Sequence, residues 1–131
     1  MVPNRQIDAV AVGLAAIPLL AAFLVWADLP PEMAIHWGPG GPDTFVAKPL
    51  ATVGLFAFGI ATIAFVRLAP NSLTSTPGGT NPTVLFLGFV FAWVEGMVVV
   101  WNLGVHFPVE LAVVPILVFA GVLVAYSYWW Q

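Results

Sequence analysis

The chain contains no cysteine and very little charge, and both absences narrow what the protein does. Without cysteine there are no disulfides, no thiolate metal ligands and no thiol nucleophiles. Only three residues are basic, so the polybasic surface that binds nucleic acid or anionic headgroups is excluded. We therefore expect no nucleic-acid partner.

The chain is rich in apolar residues. They make up 61% of the chain, against 7% charged residues, and the mean hydropathy is +1.02. Soluble domains are about 45–50% apolar and about 25% charged, so this composition indicates a membrane protein whose surroundings are the lipid bilayer. Each helical crossing takes about 20 residues. The 131 residues therefore accommodate four crossings with short connections.

Four apolar segments predict the membrane spans, at residues 7–26, 49–66, 83–103 and 111–130. They show no period-two alternation, and an open sheet in lipid would leave backbone groups unpaired. The predicted fold class is therefore an all-α integral membrane protein, a four-transmembrane-helix bundle forming one domain over residues 1–131. A structured extracytoplasmic loop is predicted at residues 27–48, between helices 1 and 2, and a cytoplasmic loop at residues 67–82.

The few basic residues predict the orientation. Arg5 and Arg67 fall on one side of the four-span arrangement, and Lys48 falls on the other side with three carboxylates. The positive-inside rule then places both termini of a multi-pass protein of the cell membrane in the cytoplasm.

The loop at residues 27–48 carries most of the polar chemistry of the chain. The segment Gly38-Pro39-Gly40-Gly41-Pro42 builds a turn, because glycine permits positive φ and proline fixes φ. Its two prolines also remove N–H donors that a phosphate cradle requires. We expect a loop of fixed shape without regular structure, which caps the outer end of the bundle.

Glu95 is the only ionisable residue near the middle of an apolar span, and we therefore expect it to face protein. Helical spacing places it on one stripe with Asn102, and this stripe is otherwise formed by Gly88, Ala92 and Val99. Two interpretations of Glu95 stay open. It is either a proton acceptor at the floor of a polar pocket or a buried structural hydrogen-bonding residue.

The two histidines are the candidate metal ligands. His36, Asp43 and His106 all fall on the predicted outer side, and nitrogen and oxygen ligands of this kind suit Zn²⁺. The spacing is not that of HxxxH or HExxH, and no GxSxG, P-loop or GxGxxG motif is present. The alternative is that His36 stabilises the loop by hydrogen bonds and that His106 lies at the membrane interface.

The ordered loop motifs resemble a known family. Leu29-Pro30, Ile35-His36-Trp37, Gly41-Pro42-Asp43, Phe45 and Lys48 are similar to the signature of a widespread prokaryotic membrane domain of unknown function. This domain forms the N-terminal part of SdpI-like immunity proteins, of which the chain resembles a short four-span form. The resemblance implies a polytopic protein whose relatives protect a cell from a secreted peptide toxin and signal by sequestering a repressor.

Three functions stay in competition. The first is a non-enzymatic, immunity-like or envelope-sensing module that binds a secreted peptide or another membrane protein through His36, Trp37, Asp43 and Lys48. The second is a transport or proton-coupled accessory subunit of a membrane complex that uses Glu95 and Asn102. The third is a metal-dependent membrane hydrolase, for which the sequence offers ligands but no catalytic motif.

Overall fold

The computed structural model describes residues 4–69 and 80–129. Helix α1 covers Asn4–Leu24 and ends in a 3₁₀ turn at Trp26–Asp28. After the loop region, a π-helical turn at Leu50–Gly54 leads into α2, Leu55–Leu68. Helices α3 (Thr80–Asn102), α4 (Val109–Ala112) and α5 (Val114–Trp129) complete the described chain.

Four helical segments are long and apolar enough to cross a membrane, which confirms the predicted number of apolar helices. They cover Asn4–Leu24, Leu50–Leu68, Thr80–Asn102 and Val109–Tyr126. The predicted cytoplasmic loop at 67–82 is shorter than expected, because α2 and α3 extend into it from both sides. Its remainder at 70–79, like the predicted end of the fourth span at residue 130, lies outside the described residues.

The loop between the first two helices is a two-stranded antiparallel sheet, so the prediction of an all-α fold and of a loop without regular structure was wrong there. Strand β1 covers Glu32–Gly38 and β2 covers Gly41–Ala47. The strands pair from Glu32 opposite Ala47 to Gly38 opposite Gly41, with a register shift near His36. Pro39 and Gly40 form the turn, and Gly41 has a φ of 110°, which glycine tolerates without a Cβ clash.

Helix α3 is the centre of the bundle. It packs along α1 and against α2, and its contacts with α5 are fewer. Helices α1 and α3 approach closely at Gly88, where an added Cβ would lie 2.7 Å from the Cα of Ala11. As the helical stripe predicted, Glu95 and Val99 are buried together with Gly88.

Helix α5 lies at the edge and is held to α3 mainly by aromatic side chains. The rings of Phe89 and Phe119 have centroids 4.4 Å apart, and just before α5, Trp93 Nε1 donates to the carbonyl of Ala112 at the end of α4 over 2.7 Å. Most of the remaining surface of α5 is apolar and exposed. Exposure of apolar side chains to lipid tails costs no free energy, so this surface is suited to face lipid.

Candidate functional site at the hairpin end

The hairpin β1–β2 is fixed to the bundle by the side chain of Asn102, at the last residue of α3. Asn102 Oδ1 accepts a hydrogen bond from the N–H of Ala34 over 2.9 Å, and Asn102 Nδ2 donates to the Ala34 carbonyl over 3.0 Å. The side-chain amide thus pairs with strand β1 as a neighbouring strand would. Met33, next in the strand, is fully buried in a cluster with Val98 and Val99. The hairpin therefore closes this end of the bundle.

Lys48 fixes the other base of the hairpin. Its ammonium donates to the carbonyl of Trp26 over 2.8 Å and lies 5.0 Å from the centroid of the Trp26 ring. Its backbone N–H donates to the carbonyl of Pro31 over 2.8 Å. A carbonyl at the end of a helix attracts a cation, so Lys48 caps the end of α1 and its 3₁₀ turn. The structure thus gives this predicted binding residue an internal partner.

His36 and Asp43 face each other across the hairpin. Nδ1 of His36 and Oδ1 of Asp43 are 2.7 Å apart, and the hydroxyl of Thr44 donates to the same carboxylate oxygen over 3.0 Å. These hydrogen bonds, that from His36 first, hold the pKa of Asp43 below its ordinary value of 3.8. An added Cβ at Gly38 would lie 2.8 Å from Oδ2 of Asp43, so glycine makes room for the pair.

Beside this pair, an aromatic cluster joins the hairpin to the segment after α3. The rings of Trp37 and Trp101 meet edge to face at 5.5 Å. Trp101 also stacks on His106 at 4.2 Å and meets Phe107 edge to face at 5.6 Å. The indole Nε1 of Trp37 is buried and has no acceptor among the described residues. The cluster therefore contains one buried, unsatisfied hydrogen-bond donor among several aromatic rings.

A cleft of about 650 Å³ opens between the hairpin turn and the segment that leads into α4. Trp37 and Trp101 form one part of its wall, and Glu110 contributes a carboxylate. The other lining residues are the turn residues Gly38, Pro39 and Gly41 together with Phe107, Pro108, Val109 and Val113. We call this the hairpin cleft. It combines aromatic walls, a negative charge and backbone groups of a tight turn, a composition typical of binding sites.

The candidate zinc ligands do not form a metal site in the part of the chain that the structure describes. No group of three His, Asp or Glu side chains lies close enough to hold an ion there. His36 and Asp43 are together, but His106 uses its ring to stack on Trp101. His36 thus hydrogen-bonds within the hairpin, as its alternative role predicted, and the interfacial position of His106 stays a prediction.

Glu95 lies below the hairpin, in the interior of the bundle. It is 1% exposed, and its Oε1 has no hydrogen-bond partner among the described residues. Asn102, predicted to continue a polar path from Glu95, instead spends its amide on Ala34 and on the carbonyl of Val98. The amide of Asn102 is therefore engaged with the hairpin and with its own helix, although Asn102 shares one face of α3 with Glu95.

A polar cluster that was not predicted from the sequence lies at the opposite end of the bundle. The guanidinium of Arg67 reaches Oδ1 of Asp8 at 2.7 Å, and it donates to Thr80 over 2.7 Å and to Asn81 over 2.6 Å. We call this the Arg67 cluster. Its members come from α1, α2 and α3, which are distant in sequence, and only the hydrogen-bonding capacity of an isolated arginine could have indicated it.

The comparison with protein families gives one match. Residues 13–64 match the model of a domain of unknown function, DUF1648. No curated protein matches the chain, and no solved structure matches it. The matched region holds His36, Trp37, Asp43 and Lys48, whereas Glu95, Asn102 and Glu110 lie outside it. The match begins in the middle of α1, covers the hairpin and ends within α2, and the link to SdpI-like proteins stays a prediction.

Proposed function

We propose that the protein is a membrane-embedded binding module that recognises a cationic, partly apolar peptide segment in the hairpin cleft. The cleft itself carries this proposal, because it is the place where the hairpin, the end of α3 and α4 meet around a carboxylate. Its occupant in the cell would be a secreted peptide or an exposed segment of another membrane protein, which makes the module immunity-like or envelope-sensing.

The charges of the two ends support a cationic ligand. The hairpin end carries four carboxylates, on Asp28, Glu32, Asp43 and Glu110, and a single ammonium, on Lys48. That ammonium is already bound to the Trp26 carbonyl. The opposite end carries Arg5, Asp8 and Arg67. A surface of one sign raises the encounter rate of ligands of the other sign.

The aromatic walls support the same ligand. Trp is the best partner for an ammonium or guanidinium over its ring face, and Trp37 and Trp101 both line the cleft. Leucine-sized side chains would be buried against the same rings. A hydrophobic peptide with one cationic side chain therefore matches both the aromatic rings and the carboxylate of the cleft wall.

Under the positive-inside rule, the two arginines at the Arg67 end favour a cytoplasmic position for that end. The hairpin cleft then faces outward. We therefore propose that the protein lies in the cell membrane with its termini inside and its binding site outside, where a secreted peptide can reach it.

Binding of two matched probe peptides tests the proposal. The first is acetyl-Leu-Leu-Lys-Leu-Leu-amide, and the second carries norleucine in place of lysine. Affinity is measured by calorimetry on protein in zwitterionic nanodiscs. We expect Glu110→Gln to weaken binding of the lysine probe about fivefold, or about 1 kcal/mol, and to leave the norleucine probe unchanged.

Glu32→Gln is the matched control, because Glu32 is exposed at the base of β1 and does not line the cleft. Equal loss of affinity in the two variants would mean that the lysine probe responds to the overall negative charge of this end and does not bind in the cleft. No binding of either probe by the wild type would refute peptide recognition. In cells exposed to a cationic peptide toxin, Glu110→Gln should lower survival relative to the wild type, and Glu32→Gln should not.

A further inference from the structure

A second space adjoins the hairpin cleft. It is an apolar pocket of about 530 Å³, and its wall is formed by α3 on one side and by the segment that leads into α4 and through it on the other. Phe107 and Pro108 line both this pocket and the cleft. Within α4, Glu110 lines the cleft, whereas Leu111 and Ala112 line the pocket. We call this space the α4 pocket, and α4 thus contributes to two neighbouring spaces of different chemistry.

The wall of the α4 pocket offers hydrocarbon contacts and no free polar side chain among the described residues. Trp93 carries the only side-chain N–H of the wall, and this group already donates to the carbonyl of Ala112 over 2.7 Å. The flexible side chain of Met97 adds an adaptable surface. An extended peptide would leave its own N–H and C=O groups unpaired here, at a cost of several kcal/mol. A hydrocarbon chain carries no such groups.

The size of the α4 pocket also discriminates between occupants. It follows α3 from Ala92 to Val100, which is about 12 Å of helix. A second helix of this length, with a diameter of about 10–12 Å, takes up roughly 900–1,400 Å³ and would be seated only in part. The pocket volume corresponds to about 18 methylene groups, because each of them takes up about the volume of a water molecule, about 30 Å³. A single long acyl chain therefore fits the pocket better than a peptide helix.

The charge beside the α4 pocket favours a cationic head group on such a chain. The carboxylate of Glu110 is exposed in the adjoining cleft, and the only ammonium of this end, on Lys48, is bound to the Trp26 carbonyl. Like charges repel, so this end disfavours the phosphate of an ordinary phospholipid and attracts a cation. The chain of an amphiphile with a cationic head is therefore the occupant that matches both spaces.

Attachment of the chain to its head group is what makes binding in the α4 pocket selective. An acyl chain gains little free energy when it exchanges lipid tails for apolar side chains, because the two surroundings are equally apolar. A chain joined to a head group in the hairpin cleft is instead held next to the pocket at a high effective concentration. The pocket therefore distinguishes a tethered chain from the chains of the surrounding bilayer.

We propose that the α4 pocket holds the acyl chain of a lipidated cationic peptide whose peptide part lies in the hairpin cleft. This inference rests on the proposed function of the cleft and names the chemical class of its ligand. The chain passes Phe107 and Pro108, which line both spaces, and lies along α3 toward Ala92. The cleft selects the charge of the ligand, and the pocket selects its chain.

Photolabelling from the chain itself tests the inference. The probe is Leu-Leu-Lys-Leu-Leu-amide with an N-terminal palmitoyl chain that carries a diazirine near its end, in place of the acetyl group of the lysine probe. It is irradiated with the protein in zwitterionic nanodiscs, and labelled residues are identified by mass spectrometry. The methyl ester of the same diazirine fatty acid gives the labelling by free chains. We expect the peptide probe to add labels at residues 92–100 and 107–112. Equal labelling by the two probes, or added labels on the exposed faces of α2 and α5, would overturn the inference.

Gly96→Leu fills the α4 pocket. Gly96 lines it, and an added Cβ at this position meets no atom within 4 Å, so the leucine side chain has room. This variant should lose most of the added labels and keep its affinity for the acetylated lysine probe, because residue 96 does not line the hairpin cleft. Gly121→Leu is the matched control on α5, where an added Cβ also meets no atom within 4 Å and the pocket is not lined. Full labelling in Gly96→Leu, or an equal loss in Gly121→Leu, would refute the α4 pocket as the site of the chain.

The acetylated lysine probe separates this inference from the proposed function. If that probe does not bind the wild type, peptide recognition by the hairpin cleft is refuted, and the lipidated ligand is refuted with it. If that probe binds and the palmitoyl chain labels no residue of the α4 pocket, the cleft keeps its function and only the lipid chain is refuted.

Discussion

The polar groups at the two ends of the bundle are bonded in different ways. At the Arg67 end, one guanidinium on α2 binds side chains of α1 and α3 and so joins three helices, and its donors are used within the protein. At the hairpin end, backbone groups of β1 pair with the amide of Asn102, and the aromatic rings and Glu110 are left around an open cleft. Polar side chains hold the structure together at both ends, and the hairpin end differs in that the carboxylate of Glu110 is exposed in a cleft beside aromatic rings.

Substitution of Asn102 should cause the largest loss in the free energy of unfolding, by detaching the hairpin from the bundle. Asn102→Ala leaves the N–H and the carbonyl of Ala34 without partners next to a buried core, which costs roughly 2–4 kcal/mol in the free energy of unfolding. Denaturant titration in mild detergent measures this loss. Asn81→Ala is the matched control at the other end of α3, since Asn81 accepts a single bond from Arg67. Equal losses in the two variants would show that the hairpin is not held by Asn102.

Removal of Arg67 should loosen the opposite end without changing the cleft. Arg67→Met leaves Asp8, Thr80 and Asn81 without their shared donor, and we expect a loss of roughly 2–3 kcal/mol, between the values for exposed and buried ion pairs. Arg67→Lys should recover only part of it, because an ammonium cannot bond three groups in one plane. Hydrogen exchange should rise near Asp8 and stay unchanged in the hairpin. Faster exchange in the hairpin would contradict independent ends.

The close approach of α1 and α3 should give a smaller effect. Gly88→Ala places a Cβ against the backbone of Ala11, and the resulting shift costs about 1–2 kcal/mol. Gly96→Ala, on the same helix, meets no atom within 4 Å. It should leave stability unchanged or raise it by about 0.5–1 kcal/mol, because alanine is the better helix former. The sign of the difference, read from thermal unfolding, checks the packing.

The smallest effect concerns pH at the hairpin turn. Hydrogen bonds lower the pKa of Asp43 in the folded hairpin. At pH values above the ordinary pKa of 3.8, ionised Asp43 therefore stabilises the folded state. This contribution is lost as the pH falls through the lower folded value. The protection factors of the hairpin amides, which correct for the intrinsic pH dependence of exchange, should therefore fall in acid in the wild type, and Asp43→Asn should show no such step. An acid step of equal size in Asp43→Asn would assign the effect to another group.

The sequence could predict the four apolar helices, because hydrocarbon imposes a length and a composition on each of them. It also identified the buried stripe of α3, since helical spacing places Gly88, Glu95 and Val99 on one face. The β-structure of the loop was missed, although Ile35-His36-Trp37 and Thr44-Phe45-Val46 are typical strand residues on both sides of a Pro-Gly turn. The prolines around the turn hid that pattern.

The contacts of the candidate site could not be predicted in the same way. The bond of Asn102 to Ala34 joins residues 68 positions apart, and that of Arg67 to Asp8 joins residues 59 apart. Such pairs depend on how whole helices pack. Glu110 was available in the sequence only as an exposed charge on a short loop, and its place in the hairpin cleft follows from the position of the hairpin.

The indole N–H signals of the tryptophans show where the lysine probe binds. We expect the peptide to shift the signals of Trp37 and Trp101, which line the hairpin cleft, and to leave that of Trp93, which donates to Ala112, unchanged. Shifts confined to Trp93, or equal shifts at all tryptophans, would contradict a binding site at the hairpin end.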